Sequence, residues 1–379
     1  MGGIWQSEKA TSPSLPGKAS ASHPQSTPPQ ISNSALCHVL QRERSGDGKP
    51  GNPFGVVPGS PNAGIMEIGS VRRVLVHGLQ EGNQKADANS ETEESAAGRA
   101  IVIVPKSVVP PPKKGDPWKV DVLLHLHGQN IGYRLRAKQD EDMPNDVSFA
   151  RGTVRDVTVD RFEDQLGALA ESGRPIIGVL PQGTYGPKEK FGAKGLNSTV
   201  LINEALDKVK EKLGWSTAPK PGNVVFSAHS GGGGTVIDML SQKKGSLPVG
   251  MNALVLFDAI RQTKDSPRLD QMKGWVRERM AGDLRELKKN PHHLETSLRL
   301  RAIYSPGYAQ WYEPLRREID NWLKEQKLPE GIEKKLRENY VVKPASPGSN
   351  HPHVVGHGNN LQNVLQELFQ DPPPNKPAK

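Results

Sequence analysis

Short apolar runs separated by helical patterns constrain the fold of this chain more than any other feature. Most of these runs are continuous stretches of aliphatic and β-branched residues, not alternations of apolar and polar ones. Continuous runs are typical of strands that are buried on both faces of a sheet. The predicted strands are Val71–Val76, Ala100–Val104, Val120–Leu126, Pro175–Leu180, Asn223–Ser227, Ala253–Phe257, Leu298–Tyr304 and Tyr340–Val342.

Helical periodicity fills the gaps between these runs. In one example, Leu201, Ala205, Val209 and Leu213 recur at intervals of four residues, which places them on one face of a helix. The predicted helices are Val159–Ser172, Val200–Leu213, Thr235–Leu240, Trp311–Gln326 and Leu361–Phe369. The alternation of strands and helices predicts an α/β fold in which a mostly parallel sheet is covered by helices on both faces.

The ends of the chain have a different composition from this α/β segment. Residues 1–65 are rich in Ser, Pro, Gly and Gln and poor in aliphatic residues, which predicts a disordered leader. We expect a strand and a polar loop at 66–98, the α/β domain at 99–370, and a Pro-rich tail at 371–379.

The segment 261–297 reads as an insertion with an amphipathic helix that carries several Arg and Lys residues. Three interpretations of this segment stay open. It is a cap or lid over a site, a basic helix that rests on an anionic membrane, or a packing helix with a solvated charged face.

One predicted strand runs directly into Ala228-His229-Ser230-Gly231-Gly232, followed by a predicted helix. A serine on such a sharp strand-to-helix turn forms a nucleophile elbow, which requires small residues two positions before and after it. Ala228 and Gly232 meet this steric need, although the usual residue at the first position is Gly. The pattern therefore predicts Ser230 as a nucleophile. The backbone N–H of Gly231, at the start of a helix, would bind an oxyanion.

Two other interpretations of this glycine-rich segment are a flexible loop and a phosphate-binding loop. A phosphate-binding loop would need Gly-Lys-Ser/Thr at its end, whereas Gly234 is followed directly by Thr235.

Over roughly residues 99–370, the strand order, the His127-Gly128 turn and the elbow resemble the α/β-hydrolase superfamily. The resemblance implies a serine hydrolase of the esterase, lipase or acyl-peptidase type that cleaves an ester or an amide through an acyl-enzyme. It also implies that a backbone N–H of Gly128 or Gln129 completes the oxyanion hole.

In this superfamily the catalytic acid and histidine follow the nucleophile in that order. Asp258, at the end of the strand after the elbow strand, is the first choice for the acid, and Glu313 is the alternative. The more usual position lies one strand later, where Tyr304-Ser305-Pro306-Gly307 offers no carboxylate. For the histidine, which should precede the last helix, His353 is the first choice, with His351 and His357 as alternatives.

Two functions of other classes remain as alternatives. One is a non-catalytic binding module with the same fold, whose signature would be a missing acid. The other is a metallohydrolase, because two His-x-His pairs could bind zinc. These pairs come from His125, His127, His351, His353 and His357. The first choice predicts no metal and no cofactor.

The net charge of +9 and the isoelectric point of about 9.4 favour anionic partners, including a membrane surface. Aromatic residues are only 5% of the chain and do not interleave with basic ones, so no specific nucleic-acid partner is expected. We expect a small-molecule or lipid acyl substrate; the oligomeric state stays open.

Cys37 is the single cysteine, so no intrachain disulfide can form. The sequence shows neither an apolar run long enough to cross a membrane nor a standard secretory signal. This predicts either a cytoplasmic esterase or an effector that is exported by a non-classical route and acts on a lipid or cell-envelope ester.

Overall fold

The computed structural model describes residues 65–76, 78–80, 100–110, 118–128, 160–181, 196–241, 247–263, 266–290 and 292–369. Apart from Ile65, the predicted leader lies outside these ranges, as do the polar loop at 81–98 and the tail at 371–379. Within the described ranges, no helix has both the length and the apolar character needed to cross a membrane.

The described strands form a nine-stranded sheet with the order β1-β2-β3-β5-β4-β6-β7-β10-β11, and β8 and β9 form a separate two-stranded ribbon. The six strands from β5 to β11 are mutually parallel, whereas β1, β2 and β3 are antiparallel to their neighbours. The strands are β1 (Ile65–Ile68), β2 (Val71–Val76), β3 (Ala100–Pro105), β4 (Lys119–Leu126), β5 (Ile176–Pro181), β6 (Lys220–His229), β7 (Met251–Phe257), β8 (Gln262–Thr263), β9 (Ser266–Pro267), β10 (Arg299–Tyr304) and β11 (Tyr340–Pro344).

Helices cover both faces of this sheet. They are α1 (Phe162–Glu171), α2 (Ser198–Leu213), α3 (Gly232–Leu240), α4 (Arg268–Leu287), α5 (His293–Thr296), α6 (Ala309–Gln326), α7 (Glu330–Asn339) and α8 (Asn360–Leu368). Successive strand residues point to opposite faces, so Leu124 joins the larger core, which includes side chains of α2, α3, α4 and α6. Leu123 joins the smaller core, with side chains of α1 and α8. The predicted α/β class, with helices on both faces, is confirmed.

Helix α4 occupies most of the segment predicted as an insertion. Its apolar side chains Met272, Val276 and Met280 are buried in the larger core. On its charged side, Arg277 forms an ion pair with Glu318 of α6. The apolar face of α4 is therefore covered by the protein itself, as in the packing-helix interpretation.

Some elements were not predicted from the sequence. Helix α7 buries only Leu336 and Asn339, so it lacks the broad apolar stripe by which the other helices were recognised. Strand β1 has four residues, and among the described strands it pairs with β2 alone, at the edge of the sheet.

Candidate active site

Five neighbouring parallel strands, β4, β6, β7, β10 and β11, end at the same edge of the sheet. The segments that follow them contain Gly128, Ser230, Asp258, Ser305 and His351, in that order. The carboxyl edge of a parallel sheet is where α/β proteins usually bind ligands. Segments that are distant in sequence therefore meet at one place.

The turn after β6 holds Ser230 in the left-handed region, with φ 48°, which few non-glycine residues adopt. The Ser230 N–H donates to the carbonyl of Phe257, at an N···O distance of 3.0 Å, and fixes the turn against β7. A Cβ atom on Gly232 would lie 2.5 Å from the carbonyl oxygen of Leu126. This close approach to β4 explains why the position two residues after the serine is a glycine.

The residues around the elbow pack closely on the serine. Ala228 is fully buried and pairs with Leu126 on one side and Leu256 on the other. A Cβ atom on Gly128 would lie 3.1 Å from the Cβ of Ser230, so the backbone of Gly128 lies directly against the serine.

The residues predicted to bind the oxyanion are Gly231, Gly128 and Gln129. Gly231 has helical backbone angles at the N-terminal end of α3, where the first N–H groups of a helix have no partner within it. Gly128 lies beside Ser230, whereas Gln129 lies outside the described residues.

A line of hydrogen bonds joins the serine to a histidine and a carboxylate. The Oγ of Ser230 lies 2.9 Å from Nε2 of His351, and Nδ1 of His351 lies 3.1 Å from Oδ2 of Asp258. Asp258 is fully buried, whereas the His351 side chain keeps 35% of its surface exposed. The three side chains thus form a continuous line of contacts from a hydroxyl, through an imidazole, to a buried carboxylate.

The structure brings His351 to the serine, not the first-choice His353. The side chain of His353 is exposed, and its backbone N–H donates to the carbonyl of Asn350. His357 places Nε2 3.0 Å from the carbonyl oxygen of Pro347. Two short 3-10 turns, at His351–His353 and His357–Asn359, precede α8. Because these turns shorten the loop, the number of residues before the last helix does not show which histidine reaches the serine.

Asp258 also has a positive φ, 46°, immediately after β7. Ser305 holds both of its carboxylate oxygens. Its N–H donates to Oδ1 at 2.8 Å and its hydroxyl donates to Oδ2 at 2.6 Å. The sequence analysis missed this role of Ser305, although the residue lies at the position where an acid was sought.

Glu313, the alternative acid, lies on α6 outside this network. Its carboxylate accepts a hydrogen bond from the hydroxyl of Tyr304 and pairs with Arg316. Among the residues that the structure describes, Asp258 is therefore the one carboxylate that forms a hydrogen bond with His351.

His229, next to the serine in sequence, contacts the backbone of the histidine loop. Its buried Nε2 lies 2.9 Å from the carbonyl oxygen of His351. A carbonyl can only accept, so Nε2 carries the proton and Nδ1 does not. Burial, together with the neighbouring His351, lowers the pKa of His229 to about 3. His229 is therefore neutral, and its ring N–H holds the carbonyl of His351.

An aromatic wall flanks the other side of His351. The ring of Tyr308 stacks on it, with centroids 4.4 Å apart and an interplanar angle of 15°. The hydroxyl oxygen of Tyr308 lies 3.2 Å from Nε2 of His351. Trp311 packs edge-on against Tyr308, with ring centroids 5.0 Å apart. The guanidinium carbon of Arg261 lies 5.7 Å from the centroid of the Trp311 ring. No sequence signal pointed to Tyr308, because it lies in a single short 3-10 turn, Pro306–Tyr308, between β10 and α6.

The remaining strand histidines are buried beneath this site. Nδ1 of His125 lies 2.6 Å from the hydroxyl oxygen of Ser227, and Nδ1 of His127 lies 2.7 Å from the carbonyl oxygen of Gly128. Burial lowers the pKa of both, that of His127 to about 4. In the described ranges, no group of three or more His, Cys, Asp or Glu side chains is placed to hold a metal ion.

No family model matches the chain, and no curated protein matches it. Among solved structures, the chain is similar to a feruloyl esterase module from Clostridium thermocellum, with 12% sequence identity and a TM-score of 0.36. The match covers 82% of this chain and 90% of that module. It is also similar to the siderophore hydrolase EstB from Aspergillus nidulans, with 9% sequence identity and a TM-score of 0.37. This match covers 81% of this chain and 99% of EstB. A third similar structure is the Staphylococcus aureus fluorophosphonate-binding serine hydrolase FphF, with 12% sequence identity and a TM-score of 0.36. This match covers 80% of this chain and 100% of FphF.

The topology itself allows the fold to be named. Ser230 lies on a positive-φ turn between a central parallel strand and a helix, and Asp258 and His351 follow it in that chain order. This is the arrangement of an α/β-hydrolase sheet. The chain has the α/β-hydrolase fold.

Proposed function

We propose that this protein is a serine hydrolase that cleaves an ester or an amide through an acyl-enzyme on Ser230. The observation that carries the proposal is the continuous line from Ser230 through His351 to Asp258, with contacts of 2.9 and 3.1 Å. His351 therefore replaces His353 in the proposed triad.

Each member of the line has a chemical role. Asp258 accepts a hydrogen bond from Nδ1–H of His351, so the Nε2 lone pair faces the serine hydroxyl. As Ser230 attacks the carbonyl carbon, Nε2 accepts its proton, and the buried carboxylate stabilises the resulting imidazolium. The two hydrogen bonds from Ser305 keep Asp258 in position for this role.

The oxyanion of the tetrahedral intermediate would lie between the start of α3 and the loop after β4. The N–H of Gly231 is one donor in the proposal, and the Gly128–Gln129 segment supplies the second. The close contact between Gly128 and Ser230 supports this assignment. Nε2 then returns its proton to the leaving group, and a water molecule releases the acyl group by the reverse path.

A fluorophosphonate probe tests the proposal, because it reacts with activated serine nucleophiles. We expect the wild-type protein and a Ser241→Ala control to be labelled, and Ser230→Ala not to be labelled. Ser241 is an exposed residue after α3, so its loss leaves the elbow intact. A folded wild-type protein that resists labelling would contradict the proposal and would favour the binding-module alternative.

Turnover of a panel of short- and long-chain acyl esters, phospholipids and aminoacyl amides then identifies the bond class. Ser230→Ala should lower kcat on the best substrate by about 10⁴-fold or more. The lipid substrate, the anionic membrane partner and the exported-effector role stay predictions.

A further inference from the structure

Two hydroxyl groups converge on one nitrogen in this site. The hydroxyl oxygens of Ser230 and Tyr308 lie 2.9 and 3.2 Å from Nε2 of His351. Since Nδ1 donates to Asp258, Nε2 is unprotonated and has a single lone pair. The Tyr308 hydroxyl also lies within hydrogen-bonding reach of Ser230, so the two hydroxyls and Nε2 form one cluster before the reaction begins.

We propose that Tyr308 is a catalytic residue that donates a hydrogen bond to the leaving-group oxygen, and that it suits the site to oxygen esters of unactivated alcohols. This inference rests on the proposed serine hydrolase activity and names the substrate class of that same site.

The first argument is geometric. The leaving oxygen receives its proton from Nε2 of His351, so it must come within about 3 Å of that nitrogen. The Tyr308 hydroxyl oxygen is 3.2 Å from the same nitrogen. The stacked rings, 4.4 Å apart, hold the hydroxyl at this distance. The leaving oxygen and the Tyr308 hydroxyl therefore approach the same nitrogen, where a hydrogen bond between them can form.

The second argument concerns the proton. When Nε2 of His351 accepts the proton of Ser230, it becomes a donor and can no longer accept a hydrogen bond from Tyr308. The Oγ of Ser230, the other partner of the Tyr308 hydroxyl, is by then bonded to the carbonyl carbon and is a weak acceptor. The leaving oxygen gains negative charge at that stage, so it is the strongest acceptor at hand.

The step balances without any further reactant. The Oγ–C bond to Ser230 forms, the bond from the carbonyl carbon to the leaving oxygen breaks, and its electron pair stays on that oxygen. The proton on Nε2 of His351 passes to the same oxygen, and Tyr308 keeps its own proton. Burial, helped by the charge of Asp258, raises the pKa of Tyr308, so the phenol remains a donor at neutral pH.

The substrate class follows from what a hydroxyl can stabilise. An alkoxide concentrates charge on one oxygen and gains most from a donor. A nitrophenolate spreads its charge over the ring, and the sulfur of a thiolate is a weak acceptor. The contribution of Tyr308 should therefore be largest for alkyl esters.

The test uses Tyr308→Phe, which keeps the stacked ring and removes only the hydroxyl. We compare kcat/KM for the ethyl ester, phenyl ester, p-nitrophenyl ester and ethyl thioester of one acyl group. The variant should lose about 10- to 100-fold on the ethyl ester. The loss should be less than about 3-fold on the p-nitrophenyl ester and the thioester. Tyr304→Phe is the matched control, because its hydroxyl contacts Glu313 instead of His351.

Fluorophosphonate labelling separates the outcomes. Normal labelling of Tyr308→Phe with an equal loss on all four substrates, or with no loss, would overturn the inference. Loss of labelling in the variant alone would also overturn it, because Tyr308 would then act on Ser230 itself. Failure of the proposed hydrolase would look different: the wild-type protein would neither be labelled nor turn over any of the four substrates.

Discussion

The elbow at Ser230 and the loop that holds His351 meet at one edge of the sheet but are held in place differently. Main-chain contacts with β4 and β7 fix the elbow, through the Ser230 N–H and the close approach of Gly232. Side chains fix the histidine loop. His229 binds the His351 carbonyl, and Asn360 binds the Val354 carbonyl.

This difference determines how each region responds to change. A position that the sheet backbone holds tolerates almost no added atom, because neighbouring strands cannot move apart. A loop that side chains hold can shift when one anchor is removed, while the sheet beneath it stays folded. Damage to the elbow should therefore appear as lost stability, and damage to the loop as lost catalysis.

The largest expected effect distinguishes the two histidines of the loop. His351→Ala should lower kcat by about 10⁴-fold, because it removes the proposed base. His353→Ala should change kcat by less than about 2-fold, since surface substitutions usually have small effects. Steady-state kinetics on the best ester of the panel checks both. A large loss in the His353 variant alone would show that the loop adopts another register in solution.

The next effect tests the rigidity of the elbow. Gly232→Ala should lower the free energy of unfolding by about 3 kcal/mol, because the new Cβ would press on the carbonyls of Leu126 and His127. Urea denaturation measures this change. Gly274→Ala on α4 is the control, where a Cβ meets no atom within 4 Å. It should raise stability by up to about 1 kcal/mol. Equal results for the two variants would contradict the main-chain account of the elbow.

A smaller effect tests the side-chain anchor of the loop. His229→Ala should lower kcat by about 10- to 100-fold with little change in KM, because the loop with His351 loses its anchor. His229→Gln should recover much of the loss, because an amide N–H can donate to the same carbonyl. If Ala and Gln behave alike, the hydrogen bond to the His351 carbonyl is not what positions the loop.

Per histidine and per pH unit, the smallest effect is a dependence of stability on pH. The folded-state pKa values of His229 and His127 are lowered to about 3 and about 4, well below the unfolded value of about 6.5. Between these values the unfolded chain binds more protons, so stability is greatest above pH 6.5 and falls as the pH drops. Each histidine contributes a slope of at most about 1.4 kcal/mol per pH unit. Urea denaturation at pH 7, 6 and 5 should show that the free energy of unfolding falls with pH. The His229→Gln variant should show a smaller fall per pH unit.

Sequence patterns located the residues that strands position directly. Ser230 and Asp258 were predicted because each follows the end of a buried apolar run, and the parallel sheet brings such ends together. The fold class was predictable for the same reason, because continuous apolar runs record burial on both faces.

The rest of the site depends on contacts that leave no periodic signal. His353 was preferred because a spacing to the last helix does not show how tightly the loop turns. Ser305 and Tyr308 were missed because a lone serine or tyrosine outside a motif is common in any chain. Their roles come from the neighbours that the completed sheet gives them.

The pairing of Asp258 with Ser305 has a consequence for how such sites diverge. A carboxylate and a hydroxyl occupy the ends of two adjacent strands and bind each other. Exchanging the two residues would move the carboxylate, and with it the negative charge, by one strand. A single substitution cannot make this exchange, because it leaves either no carboxylate or two that repel each other. A change of the acid position in this pair therefore passes through a sequence that holds either no carboxylate or two.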